Sequence, residues 1–129
     1  MKCWLKLSFS MRPERLYLSD IIQASRNVAL HIGGRSQEEF IAELTARAAV
    51  LHELSVIGEA AARISGALRD RHPAIPWADV IAFRNIVVHE YFGLSWPLVW
   101  ETATRDVPEL ERQVREVLIS EFPAPAGPN

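Results

Sequence analysis

The chain has a single cysteine, Cys3, in 129 residues. It therefore cannot close an internal disulfide, and no Cys/His cluster has the spacing of a zinc site. A reducing cytoplasm is the expected compartment. Lysine is almost missing: of fourteen basic residues only Lys2 and Lys6 are lysine, the rest being arginine, and the formal net charge is −2. That balance excludes a uniformly basic nucleic-acid binder, which draws its affinity from many neutralised phosphates. Any polyanion would have to meet a local patch of guanidinium groups, whose forked donors suit bidentate phosphate contacts. No apolar run is long enough to cross a membrane, and the opening MKCWLKLSFS lacks the unbroken apolar stretch of a signal peptide. Sustained apolar/polar alternation is also missing, which argues against half-buried strands, and there are no internal repeats.

What is present is enough for one core: 49% of residues are hydrophobic, with four Trp, two Tyr and five Phe. The apolar period is 3.6 almost throughout, so the expected fold is all-α, an antiparallel helical bundle of long central helices with shorter flanking ones. Residues 1–10 read as a loosely held extension ahead of the domain, because Met11 is followed at once by a helix start. Pro13 opens the first helix, with Leu18, Ile21, Ile22, Val28, Ala29 and Ile32 on one face, and Gly33-Gly34 stops it. Ser36 and Glu39 form a capping box for a second helix. From about Leu44 one long helix runs through Val50, Leu51, Leu54, Ile57, Ala61, Ile64 and Leu68 until DRHPAIP ends it. Pro76 opens the next, with Trp77, Val80, Ile81, Val87 and Val88 apolar, and Gly93 ends that one. Ser95 caps a short helix with Val99 and Trp100, a last helix follows Asp106 and Pro108 with Leu110, Val114, Val117 and Leu118, and residues 122–129 read as a disordered tail.

Inside this pattern RNIVVHEYF, residues 84–92, places an arginine, an amide, an imidazole, a carboxylate and a phenol among valines. At about 100° per residue Arg84, Val88 and Tyr91 share a face, while His89 lies about 140° from Arg84. The two could meet if the helix distorted, if the arginine stem wrapped round it, or if a second copy of the same helix approached across a two-fold axis.

The flanking blocks IGEAA (57–61), PAIPWADVIAFRNIVVHEYFG (73–93) and VWETATRDVPEL (99–110) resemble, in order and spacing, the HepT-like branch of the HEPN superfamily, small helical proteins paired with minimal nucleotidyltransferases in prokaryotic toxin–antitoxin systems. The resemblance covers residues 11–121. Its hallmark, R-x-x-x-x-H-x-Y, is met by Arg84, His89 and Tyr91. It implies a metal-independent ribonuclease, needing no cofactor, whose arginine and histidine act at a homodimer interface or in an assembly of dimers. It also implies a tyrosine, here Tyr91, to which an MntA-like nucleotidyltransferase antitoxin transfers AMP. Glu90 stands where relatives often carry glycine or aspartate.

The chemistry suits these residue types. Cleaving RNA without metal needs a base for the 2′-hydroxyl proton and an acid for the leaving oxygen, leaving a 2′,3′-cyclic phosphate, and histidine can serve as either. Arginine can hold the phosphate and offset the charge that develops on it. Asn85 and Glu59 would support these two. The plainer alternatives are that Arg84 pairs with Glu59 as structure, that His89 is an ordinary surface residue near a helix end, and that Tyr91 and Phe92 are core aromatics. His52-Glu53 and His89-Glu90 lack the second histidine of a metalloprotease helix. Two functional classes follow: a ribonuclease, or a non-catalytic module that docks a nucleotidyltransferase and presents substrate to it.

Overall fold

The computed structural model describes residues 12–125; the readings of residues 1–10 as an extension and of 126–129 as tail lie outside it. The elements are α1 (Glu14–Ile32), α2 (Gln37–Ala42), α3 (Leu44–Arg63), α4 (Gly66–Arg71), α5 (Trp77–His89), a 3₁₀ turn (Tyr91–Gly93), α6 (Trp96–Glu101), a π turn (Thr102–Asp106) and α7 (Val107–Glu121). The all-α expectation holds.

α1 packs on α3 and α7, and α3 carries α5 on another side. Direction follows from polar contacts. At the start of α1 the Glu14 carboxylate accepts the Ser65 N–H, while further along Asn27 donates to Glu53; α1 and α3 are therefore antiparallel. Leu18, Ile21, Val28, Phe40, Val50, Ile64, Leu68 and Val114 are fully buried, which matches the apolar spacings. Ser25 is the one buried polar residue among those described, and its hydroxyl donates to the Ile21 carbonyl. Trp96 and Trp100 pack on Phe40, the Arg47 guanidinium lies over the Trp96 ring, and the Trp77 indole donates to the His72 carbonyl. Those three tryptophans serve packing.

Three boundaries differ from expectation. The long third helix does not run to Leu68. Ile64 is extended (φ −77°, ψ 138°) and Ser65 caps a separate helix by accepting the Leu68 N–H at 3.2 Å. A serine followed by glycine favours a cap over a helix interior, and Glu14 holds the broken backbone from across the bundle. The last two helices are not separate. The chain stays helical from α6 into α7 through the π turn, where the Val107 N–H reaches the Thr102 carbonyl, and this wider turn accommodates Pro108, which has no N–H to give. Finally, α5 ends at His89 and not at Gly93, with Glu90 at φ −124°, ψ 25°. Tyr91 is therefore off the helix and does not share a face with Arg84 and Val88.

The far end of α7 is tied to α4. Arg71 donates two hydrogen bonds to Glu121, and His72 lies 2.8 Å from the same carboxylate. These contacts, Arg71's first, hold the Glu121 carboxyl at about 2, well under the usual carboxylate range.

Candidate active site on the edge helix

α5 is positioned by a glycine. At Gly58 of α3, an added Cβ would fall 2.9 Å from Arg84 Cβ and 3.1 Å from the Val80 carbonyl oxygen, closer than carbon atoms pack. Only a residue without a side chain lets α5 lie this close. The contact sets Arg84 beside the next residue of α3: Arg84 Nη1 is 3.3 Å from Glu59 Oε2. Charge-assisted hydrogen bonds are about 2.7–2.9 Å, so this pair is loose. It is also wet, the two side chains being 28% and 53% exposed, and contributes on the order of 0–1 kcal/mol. Glu59 thus orients the guanidinium without consuming it.

Asn85 and His89 are exposed. α5 is regular from Trp77 to His89, so the helix does not distort to bring Arg84 and His89 together; they remain about 140° apart around it. Tyr91 stands on the 3₁₀ turn, 45% exposed, its ring edge-to-face with Phe92 at 5.3 Å. Phe92 is 101% exposed. The reading of both as core aromatics fails.

α5 is apolar on every side, yet only Trp77 is fully covered. Val80, Ile81, Phe83 and Val87 pack partly on the core, whereas Ile86 and Val88 are exposed. Consecutive Ile86, Val87 and Val88 span about 200° of helix, more than a single neighbour can cover. That run of apolar residues was the available signal in the sequence.

An open groove of about 520 Å³ runs between α3, α5 and α7 over Leu54, Ile57 and Phe83, with Asp79, Asp106 and Glu109 at its sides. Carboxylates make it the wrong charge for a phosphate chain, so it does not compete with the Arg84 face for a polyanion. Among the described residues no three His, Cys, Asp or Glu side chains converge to hold a metal ion, and no helix is long and apolar enough to cross a membrane.

A family model described as ribonuclease HepT-like matches residues 21–117. The chain belongs to the HepT-like ribonucleases. Among similar proteins, one from Caldanaerobacter subterraneus subsp. tengcongensis, named as a candidate RNase, is 34% identical over 86% of this chain and 99% of its own length. One from Methanocaldococcus jannaschii, also named as a candidate RNase, is 33% identical over 84% of this chain and 99% of its own. A protein named probable ribonuclease HepT, from Thermococcus cleftensis, is 31% identical over 78% of this chain and 91% of its own. No solved structure matches. Family membership makes RNA the substrate class of this HepT-like chain. The matched span contains Gly58, Glu59, Arg84, Asn85, His89, Tyr91 and Phe92.

Proposed function

We propose that this HepT-like chain is a metal-independent endoribonuclease toxin, its domain spanning residues 11–121, that acts in the cytoplasm as a two-fold dimer or an assembly of dimers. The observation that carries the reading is the state of α5: an edge helix, apolar all round, with Ile86 and Val88 uncovered and with Arg84, Asn85 and His89 on its surface. A second copy of α5 laid against this face would cover the apolar residues and bring two arginines and two histidines into one cleft.

In that cleft one His89 takes the proton from the 2′-hydroxyl, whose oxygen attacks phosphorus. The bond to the 5′-oxygen breaks, the other His89 protonates the leaving oxygen, and the products carry a 2′,3′-cyclic phosphate and a 5′-hydroxyl. Arg84 exchanges its long contact to Glu59 for a phosphate, which can accept two guanidinium hydrogen bonds, and offsets the charge developing there. Asn85 helps to orient the phosphate. Tyr91 is the acceptor of AMP from an MntA-like nucleotidyltransferase. In the dimer the added phosphate would pair with an arginine brought in by the second copy of α5, occupy the space the RNA backbone needs and switch the enzyme off.

One observation favours the second reading, a docking module: the Arg84–Glu59 pair is also what a purely structural arginine would make. The two separate on Arg84→Ala and His89→Ala. In the ribonuclease both lose cleavage while helicity, melting temperature and oligomer mass stay as in the wild type. General acid–base chemistry alone accounts for roughly 10²- to 10⁴-fold at His89. If both variants cut RNA like the wild type, the catalytic assignment ends.

A further inference from the structure

Phe92 is the least covered large side chain described, as exposed as in an extended peptide. Phenylalanine is normally among the most buried residues, so this position is unusual for its chemistry. The ring is not on a loose end. It belongs to the 3₁₀ turn that closes α5, fastened by the Glu90 N–H on the Ile86 carbonyl at 2.8 Å and the Gly93 N–H on the Glu90 carbonyl at 2.9 Å. Tyr91 braces it, the planes of the two rings standing 85° apart. It lies three residues beyond His89, between Tyr91 and Gly93. A braced, fully open aromatic ring on the turn that follows the helix bearing Arg84 and His89 has the form of a platform for a nucleobase. An unpaired base offers a flat π face that stacks on an aromatic ring and needs no surrounding apolar patch.

We infer that Phe92, braced by Tyr91, stacks on an unpaired base flanking the cleaved phosphate, and so directs this ribonuclease to single-stranded RNA. The inference rests on the Arg84/His89 ribonuclease reading, and deepens it by naming the substrate's form and the residue that selects it. Bases inside a duplex are already stacked on each other and present no free face. Paired RNA should therefore be the poorer ligand, and the preference should weaken when the ring is lost.

The probe is a short 2′-fluoro RNA carrying 2-aminopurine, which has no 2′-hydroxyl nucleophile and so reports binding without turnover. Wild type, Phe92→Trp, Phe92→Tyr, Phe92→Leu and Phe92→Ala are compared by anisotropy, 2-aminopurine quenching and light scattering. Trp and Tyr should bind about as well as Phe. Leu, which keeps apolar bulk but has no π face, should fall with Ala by about fivefold or more, the lower end of base–aromatic stacking. Quenching should fall in step, with oligomer mass unchanged throughout. Wild-type-like binding by Phe92→Leu together with a change of mass in Phe92→Ala would instead place the ring in a protein contact. Equal binding by all five would also overturn the inference. Cleavage by Arg84→Ala and His89→Ala is measured alongside. Loss of cleavage there with a flat Phe92 series removes only the stacking, whereas retained cleavage removes the reading on which it stands.

Discussion

Replacing Gly58 by alanine tests the packing that places Arg84. The new Cβ would sit 2.9 Å from Arg84 Cβ, 3.1 Å from the Val80 carbonyl oxygen and 3.5 Å from the Arg84 nitrogen. None of these is the far end of a flexible side chain, so relief requires α5 to move away from α3 as a body. Overpacking of this kind costs about 1–3 kcal/mol, while exchanging glycine for alanine inside a helix returns up to about 1 kcal/mol. The balance is a loss of roughly 0–2 kcal/mol, a fall of up to about 7 °C in Tm for a domain of this size. The functional effect should be larger than the loss of stability, because α5 carries Arg84 and its shift moves the guanidinium relative to Glu59. Calorimetry and RNA cleavage on the same samples read both. A Tm raised by the full helix-propensity gain with cleavage unchanged would show that the close approach does not position the site. Gly58→Val should be worse on both counts.

Three further outcomes follow from particular residues. Ile86→Glu with Val88→Glu should give a folded monomer by light scattering that no longer cuts RNA; a dimer of unchanged mass would remove α5 from the interface. Tyr91→Phe should cleave RNA like the wild type but gain no AMP-sized mass with ATP, Mg²⁺ and the cognate nucleotidyltransferase, and an equal mass gain would move the modification elsewhere. Glu121 has its carboxyl held at about 2 against an ordinary 4.5. A lowered acid contributes stability that is present above its unfolded value and lost as pH falls towards the folded one. The difference in urea midpoint between wild type and Glu121→Gln should therefore be greatest above about pH 4.5 and shrink on acidification, and a pH-independent difference would contradict the role of the Arg71–His72 contacts.

Signals contained in a few neighbouring residues were legible in the sequence. The Ser36–Glu39 capping box forms in both directions, and Gly33 stops α1 at φ 57°. The bundle's core also follows from apolar spacing, since Ile57, Ala61, Ile64 and Leu68 are all buried. That same spacing could not show the break at Ile64, because a straight helix and one restarted at Ser65 can bury the same positions. The π turn was hidden because Pro108 reads as a helix start wherever the preceding turn is not visible.

At the site, the pairing of Arg84 with Glu59 and the close approach at Gly58 were legible as possibilities, because each needs only one helix beside another. The exposure of Ile86, Val88 and Phe92 was not. Whether an apolar residue is covered depends on how many neighbours its helix has, and α5 has one substantial helical neighbour, α3. The turn at Glu90 likewise depends on tertiary support: nothing packs over Val88 and Phe92 to extend the helix to Gly93.

The central claim is that Arg84 and His89 cut RNA without metal, and the most direct measurement is the chemistry of the cut ends. Purified wild type and His89→Ala are incubated with single-stranded RNA in excess EDTA, and the products are resolved by mass. The account predicts fragments ending in 2′,3′-cyclic phosphate and beginning with 5′-hydroxyl from the wild type, and none from His89→Ala. Cleavage only on adding Mg²⁺, or 5′-phosphate ends produced equally by both proteins, would contradict it.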